Sequence, residues 1–270
     1  MTFTLGSRAI SAGYRLVAFD SIGSTNAEAL SHARKGERGP TWFVTSEQTA
    51  GRGRRQRAWV APRGNLASSV LETLDTTPAV AATLGFAAAL ALEVALSRVT
   101  RRSAKVAGEL DKIKFVLKWP NDVLAGGEKL AGILLEAEAV PGDRLAVVAG
   151  IGTNVVAAPE GTPTPATSLP KLGIEISAEE LFVVLSDSWV EVYGIWDRGR
   201  GFHEIRRLWL AKAAGLGQPV AVHTAGADIT GTFETIDATG CMIVRTSSGD
   251  RVPISAGDVY FGSAASAGAV

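Results

Sequence analysis

Apolar residues along the chain recur with two spacings, about every second residue and about every 3.6 residues, and the changes between them divide it into strands and helices. YRLVAFD over 14–20 predicts a strand, followed by a Gly-containing turn with Ser24-Thr25-Asn26. Asn26 is placed to cap the helix AEALSHAR, in which Ala27, Leu30 and Ala33 share a face. TWFVTS over 41–46 is β-branched and aromatic, which predicts a second strand. The turn Pro62-Arg63-Gly64-Asn65 then leads into a third, Leu66–Leu74. Thr77-Pro78 reads as a cap with proline at the first helical position, and it opens a helix over 79–98.

After a polar connector, FVLKW over 115–119 ends at Pro120. The segment 123–130 reads as a hairpin turning at Gly126-Gly127, and 133–139 and 145–156 read as adjacent strands. A loop rich in Pro, Gly and Thr covers 159–165. Ser177-Ala178-Glu179-Glu180 is a capping-box pattern opening a helix to Trp196, and a further helix is expected over 202–213. From Gly217 the texture changes. Short strands at 220–222, 229–236, 241–246 and 251–254 alternate with Gly, Asp and Ser turns, the pattern of a small β-barrel or sandwich. The expected division is 1–214 and 215–270, with a low-complexity, frayed tail SAASAGAV.

Composition narrows the function. The chain has 270 residues, 46% hydrophobic and 20% charged, with 27 basic and 27 acidic side chains. That balance gives no net charge to draw the molecule onto nucleic acid or an anionic membrane, so any basic patch is local. The single cysteine, Cys241, excludes an internal disulfide and a multi-thiolate zinc site and fits a reducing, cytoplasmic compartment. MTFTLGSRAISA carries no secretory signal pattern. The alanine-rich stretch from Ala79 to Leu96 contains Glu93 and reads as a core helix, not a membrane span.

Gly51-Arg52-Gly53-Arg54-Arg55-Gln56-Arg57-Ala58-Trp59 combines glycines that let backbone approach a ligand with four arginines able to grip phosphate or carboxylate. On spacing alone it fits an anion site and a solvated basic loop equally well. It lacks the Gly-Lys-Ser/Thr of a Walker A loop. Lys118-Trp119-Pro120-Asn121-Asp122 puts a lysine inside an apolar strand, where an ammonium needs an anionic partner. KLAGILLE over 129–136 repeats the oddity with Lys129 and adds Gly132; GIGTN over 150–154 places two glycines in an apolar strand before Asn154. His32, His203 and His223 have no second ligand at metal spacing, and no Gly-x-Ser-x-Gly elbow is present.

In this order, Ser24-Thr25-Asn26, Gln48 with the arginine loop, KWPND, KLAGILLE, GIGTN and Ala166-Thr167-Ser168-Leu169 resemble the biotin–protein ligases, over about residues 14–260. The resemblance implies an α+β fold: a mixed, mainly antiparallel central sheet flanked by helices, similar to class II aminoacyl-tRNA synthetases, with a small C-terminal SH3-like β-barrel. It implies a two-step reaction in which biotin and ATP, with Mg²⁺, give biotinyl-5′-AMP. A lysine of a biotin carboxyl carrier domain then takes the acyl group. It assigns Arg52, Arg54 and Lys129 to catalysis. Ser24, Thr25, Asn26, Gln48, Gly51, Arg52, Gly53, Arg54, Lys129, Gly132, Gly150 and Gly152 fall at biotin. Trp59, Lys118, Asn121, Asp122 and Asn154 fall at the nucleotide, with Asp122 a candidate Mg²⁺ ligand, and Arg55 and Arg57 support the loop or face solvent.

Two departures stand out. The family's loop commonly has glycine where this chain has Gln56, which carries strain if φ there is positive. Some relatives begin with a winged helix-turn-helix; about thirteen residues precede the first strand here, so the expectation is a monofunctional ligase that does not bind DNA. A homodimer is compatible with an exposed sheet face. The rival readings are a lipoate or octanoyl ligase on the same fold, a nucleic-acid-binding protein using RGRRQR, and an inactive biotin-binding module.

Overall fold

The structure is a computed structural model that describes residues 2–103, 113–162, 164–224 and 226–261. The tail SAASAGAV and most of the polar connector before Ile113 lie outside the described residues. Seven strands form the main sheet: β1 (Arg15–Phe19), β2 (Thr41–Thr45), β3 (Leu66–Leu74), β4 (Phe115–Lys118), β5 (Asp122–Ala125), β6 (Glu128–Val140) and β7 (Arg144–Thr153). Their order is β1-β2-β3-β7-β6-β5-β4, and only β1 and β2 run parallel.

The sheet is covered on both faces, which explains strands with no polar alternation. Every residue of β2 is buried. Trp42 and Val44 pack toward helices α4 (Leu84–Ser103) and α5 (Ala178–Trp196), while Phe43 packs toward α2 (Thr25–Arg34) with Ala29, Leu30 and Ala33. Ala29 takes the inward place expected of Ala27, which is exposed. Ser24, not Asn26, caps α2: its hydroxyl accepts from the Ala27 amide, and Asn26 is the second residue of the helix, free for tertiary bonds.

The stretch Pro78–Arg102 is long and apolar enough to cross a membrane by length and composition, yet most of it is buried against α5 and the strands. Each fully buried leucine there contributes roughly 1.5–3 kcal/mol. Thr77 caps it as expected, but it breaks into α3 (Pro78–Ala82) and α4 at Thr83, whose hydroxyl is held by Trp196 Nε1 at 2.8 Å. The capping box at Ser177 is formed. Helix α6 (Phe202–Leu210) stops before the expected Ala213, because residues 212–214 instead hydrogen-bond to Leu117 of β4. A short helix, α1 (Ser7–Ser11), has no signature in the apolar pattern.

The second sheet has the antiparallel order β11-β10-β9-β8-β12, from β8 (Pro219–His223), β9 (Asp228–Ile236), β10 (Met242–Arg245), β11 (Arg251–Ile254) and β12 (Asp258–Phe261). Among the described residues the expected barrel is not closed: β11 and β12 form opposite ends of the sheet. A fifth strand, β12, stands beyond the four that the turn pattern predicts, and it brings residues 257–260 to the edge of the main cleft.

Candidate functional site

A cleft of about 640 Å³ opens over the β3-β7-β6-β5 part of the main sheet. Its floor is glycine. Gly132 of β6 pairs directly with Gly152 of β7, and Gly150 lies two residues along the same face. At Gly150 the missing side chain is what admits α2, since a Cβ there would overlap Asn26 Oδ1.

Helix α2 presents Thr25 and Asn26 to this floor. Gln48 Oε1 accepts from the Thr25 amide at 2.8 Å and lies 3.2 Å from its hydroxyl. Ser69 of β3 stands 2.7 Å from Thr25 Oγ1 and donates to Asn26 Oδ1 at 2.6 Å. The Asn26 amide donates to Glu136 Oε2 at 2.8 Å and to the Leu134 carbonyl at 3.2 Å. With its oxygen committed to Thr25, Gln48 turns its amide nitrogen toward Gly51, where a Cβ would stand 3.0 Å from it.

The arginine loop is folded over the cleft as a small hairpin. The Trp59 amide donates to the Gly51 carbonyl at 2.9 Å, and the Gly53 amide to the Arg57 carbonyl at 2.8 Å. At its tip Arg55 and Gln56 adopt φ of 54° and 59°. Both side chains are therefore strained where glycine would be relaxed, as anticipated for Gln56.

Each arginine has a protein partner. Arg52 Nη2 lies 3.3 Å from Glu136 Oε2, and Arg54 Nη1 donates to Asn121 Oδ1 at 3.1 Å. Arg55 and Arg57 both reach Asp258 Oδ2 of β12, each at 2.8 Å. Burial works to raise the Asp258 carboxyl, but its bond to Arg57 and the charges of Arg57, Arg55 and Arg54 outweigh it and hold it below the usual carboxylate range. Burial and the neighbouring Arg55 lower the affinity of Arg54 for its proton.

The loop ends in Trp59, whose indole lies on the glycine floor. A Cβ at Gly152 would come within 2.7 Å of the ring and one at Gly132 within 3.3 Å. The indole Nε1 is buried without a hydrogen-bond partner among the described residues. Lys129 Nζ stands 5.5 Å from the ring centre and 2.7 Å from Asp122 Oδ1.

The turn after β4 sets the remaining polar groups. Asn121 is pinned by reciprocal bonds with Ile133: its Nδ2 donates to the Ile133 carbonyl at 2.9 Å, and its own carbonyl accepts from the Ile133 amide at 2.8 Å. Lys118, paired across the turn with Asp122, points its ammonium at Tyr260 and Phe261, about 6 Å from each ring centre. Burial lowers its pKa, with Lys129 adding to the effect and Asp122 and Asp258 opposing it. Asn154 ties the 165–169 segment to the sheet through Thr167 and Leu169, and its Oδ1 is buried with no partner among the described residues.

Thus the expected residues Ser24, Thr25, Asn26, Gln48, Arg52, Gly53, Arg54, Trp59, Lys118, Asn121, Asp122, Lys129, Gly132, Gly150, Gly152 and Asn154 all line one cleft, with Gly51 at the root of the loop. Arg57 lines it too, and Arg55 and Arg57 prove to be anchors to the second sheet. Ser69, Asp258 and Tyr260 carry no motif; Glu136 was visible only as the last letter of KLAGILLE. Among the described residues no cluster of three or more His, Cys, Asp or Glu side chains is placed to hold a metal.

Residues 18–154 match the biotin/lipoate A/B protein ligase family, and residues 215–262 match the biotin protein ligase C terminal domain. The chain is 40% identical over 245 residues to a biotin–acetyl-CoA-carboxylase ligase of Paracoccus denitrificans, covering 88% of this chain and 97% of that protein. It is 36% identical over 242 residues to the biotin–acetyl-CoA-carboxylase ligase of Mycobacterium tuberculosis, covering 88% and 85%. The biotin protein ligase of Aquifex aeolicus, solved with biotin and ATP, superposes with a TM-score of 0.73 at 24% identity over 92% of this chain and 99% of that one, a likeness of fold.

Proposed function

The chain belongs to the biotin/lipoate A/B protein ligase family, and from that premise we propose that it activates biotin with ATP and transfers it to a lysine of a biotin carboxyl carrier domain. The single observation that carries this reading is the convergence of Lys129, Lys118, Arg52 and Arg54 on a glycine-floored cleft whose inner end is polar and uncharged at Thr25, Asn26 and Gln48.

Joining a carboxylate to the α-phosphate brings two anions together. Donors fixed before the reaction offset that repulsion without reorganising. In this reading the uncharged end takes the ureido and tetrahydrothiophene rings, with Gln48 Nε2 and the hydroxyls of Ser24 and Thr25 as polar contacts. Arg52, Arg54 and Lys129 surround the carboxylate and α-phosphate. A carboxylate oxygen of biotin attacks the α-phosphorus and pyrophosphate leaves; the carrier lysine then attacks the acyl carbon and AMP leaves. No protein nucleophile is required. Lys118 meets phosphate, and Asn154 Oδ1, buried and unpartnered, is the acceptor for a nucleotide donor. Trp59 covers the adenylate and excludes water that would hydrolyse it.

Mg²⁺ bound to ATP shields phosphate charge. Asp122 is a single half-buried carboxylate beside Lys129 and Lys118, and one carboxylate with phosphate oxygens and water is a ligand set that suits Mg²⁺. The pairing of Arg55 and Arg57 with Asp258 turns those two cations to the second sheet, which counts against RGRRQR as a nucleic-acid surface. The test is exchange of labelled pyrophosphate into ATP, with biotin or lipoate supplied separately. Exchange with biotin is expected; exchange supported by lipoate alone overturns the reading.

A further inference from the structure

We propose that Glu136 is a positioning residue that holds Arg52 at the root of the loop and is the counter-ion this arginine exchanges for an anionic ligand. The inference rests on the activity proposed above only for the nature of that ligand.

Glu136 lies outside the cleft lining, two residues beyond Leu134 on the same face of β6. Its Oε2 accepts from Asn26 Nδ2 at 2.8 Å and stands 3.3 Å from Arg52 Nη2. One oxygen therefore joins the start of α2 to the root of the arginine loop. A carboxylate only accepts hydrogen bonds, so it forces Asn26 to face it with the amide nitrogen. The amide oxygen must then turn to Ser69, above Gly150.

The Arg52 side chain is 45% exposed and that of Glu136 28%, so the pair is weak and exchangeable. Its distance also exceeds that of a close charge-assisted bond. The other loop arginines are held differently: Arg54 by a neutral amide and Arg55 and Arg57 by the second sheet. Arg52 alone among the four is paired to a carboxylate of the main sheet. A carboxylate or phosphate in the cleft competes with Glu136 for it directly, and the loop gains a ligand contact as it loses a protein one.

Hydrogen exchange of the loop tests this, because the Gly53 and Trp59 amides are protected by the hairpin bonds to Arg57 and Gly51. Glu136→Gln keeps an acceptor for Asn26 and removes the charge facing Arg52. In ligand-free protein, exchange over 51–59 is expected to quicken about two- to five-fold, the factor set by one exposed ion pair, with exchange in α5 unchanged. With biotin and a non-hydrolysable ATP analogue both present, wild type and variant are expected to exchange alike. Equal ligand-free rates, or a rise spread over the whole main sheet, would overturn the latch. A difference that persists with ligands bound would overturn the exchange of counter-ions. Failure of the ligands to protect wild type would count against the proposed activity, while the ligand-free comparison would still decide the latch.

Discussion

Asp258 and Arg57 form a 2.8 Å ion pair across 201 positions of sequence, joining the last described strand to the loop over the cleft. The same carboxylate oxygen takes Arg55, so the C-terminal sheet holds the loop tip from outside while Glu136 holds its root. The second sheet is thereby a wall of the cleft, not an appendage.

Asp258→Asn should loosen that tip. Two part-exposed pairs are worth together about 1 kcal/mol, so trypsin cleavage after Arg55 and Arg57 is expected to quicken roughly fivefold. Raising salt should narrow the difference from wild type. Equal cleavage at low salt would show that the tip is held by its backbone.

Lys129→Ala removes a cation standing 2.7 Å from Asp122 and facing Trp59. Loss of one fixed charge-stabilising donor costs about 10²–10³ in rate, and biotin-dependent pyrophosphate exchange should fall by that factor. An unchanged rate would strip Lys129 of its role.

Gly152→Ala inserts a methyl group where the indole of Trp59 rests. The backbone at Gly152 is ordinary strand, so folding should survive, and the conflict is with a side chain that must move. Overpacking of this kind costs about 1–3 kcal/mol, so the KM for ATP is expected to rise tenfold or more, read in the same exchange reaction. A KM within twofold of wild type would mean that the indole leaves the floor freely.

Gln56→Gly should relieve the tip. A left-handed φ costs a side-chain-bearing residue about 1 kcal/mol, partly offset by the greater chain entropy of glycine when unfolded. The melting temperature is expected to rise slightly; a clear fall would show that Gln56 makes a compensating contact.

Glu72 predicts a pH dependence far from the cleft. It is 6% exposed beneath α5, accepts from Tyr14 Oη at 2.7 Å, and burial raises its pKa to about 7 against the opposing bond of Tyr14 and the nearby polar groups of Trp189 and Tyr193. A carboxyl whose folded pKa exceeds its unfolded value of 4.5 binds its proton more tightly when folded. Stability is therefore greatest below pH 4.5 as far as this group decides, and falls as pH rises to about 7, by up to about 3 kcal/mol. Glu72→Gln should flatten that fall between pH 5 and 8 in urea unfolding. The same slope in the variant would assign it to other groups.

Much of the fold was legible because burial on two faces writes itself into local composition. Leu66–Leu74 matches its strand residue for residue, and Thr77-Pro78 and the Ser177 box mark helix starts where the backbone has them. The cap of α2 was less legible. Ser24 and Asn26 are both good caps by type, and the choice fell to Ser24 because Asn26 is drawn into bonds with Glu136 and Ser69, distant in sequence. Strand β12 is only four residues with no run of alternation, and it forms because β8 offers an edge.

What the sequence determined by itself was the inventory: glycines at 132, 150 and 152, lysines at 118 and 129, four loop arginines, and local turn chemistry that needs no distant partner. Tertiary structure decided the pairing. It set Arg52 against Glu136, Arg55 and Arg57 against Asp258, and Trp59 on Gly152, since these contacts join segments whose separation in sequence carries no local energetic signal. They exist because sheet register and the packing of the second sheet bring the segments within a few ångströms.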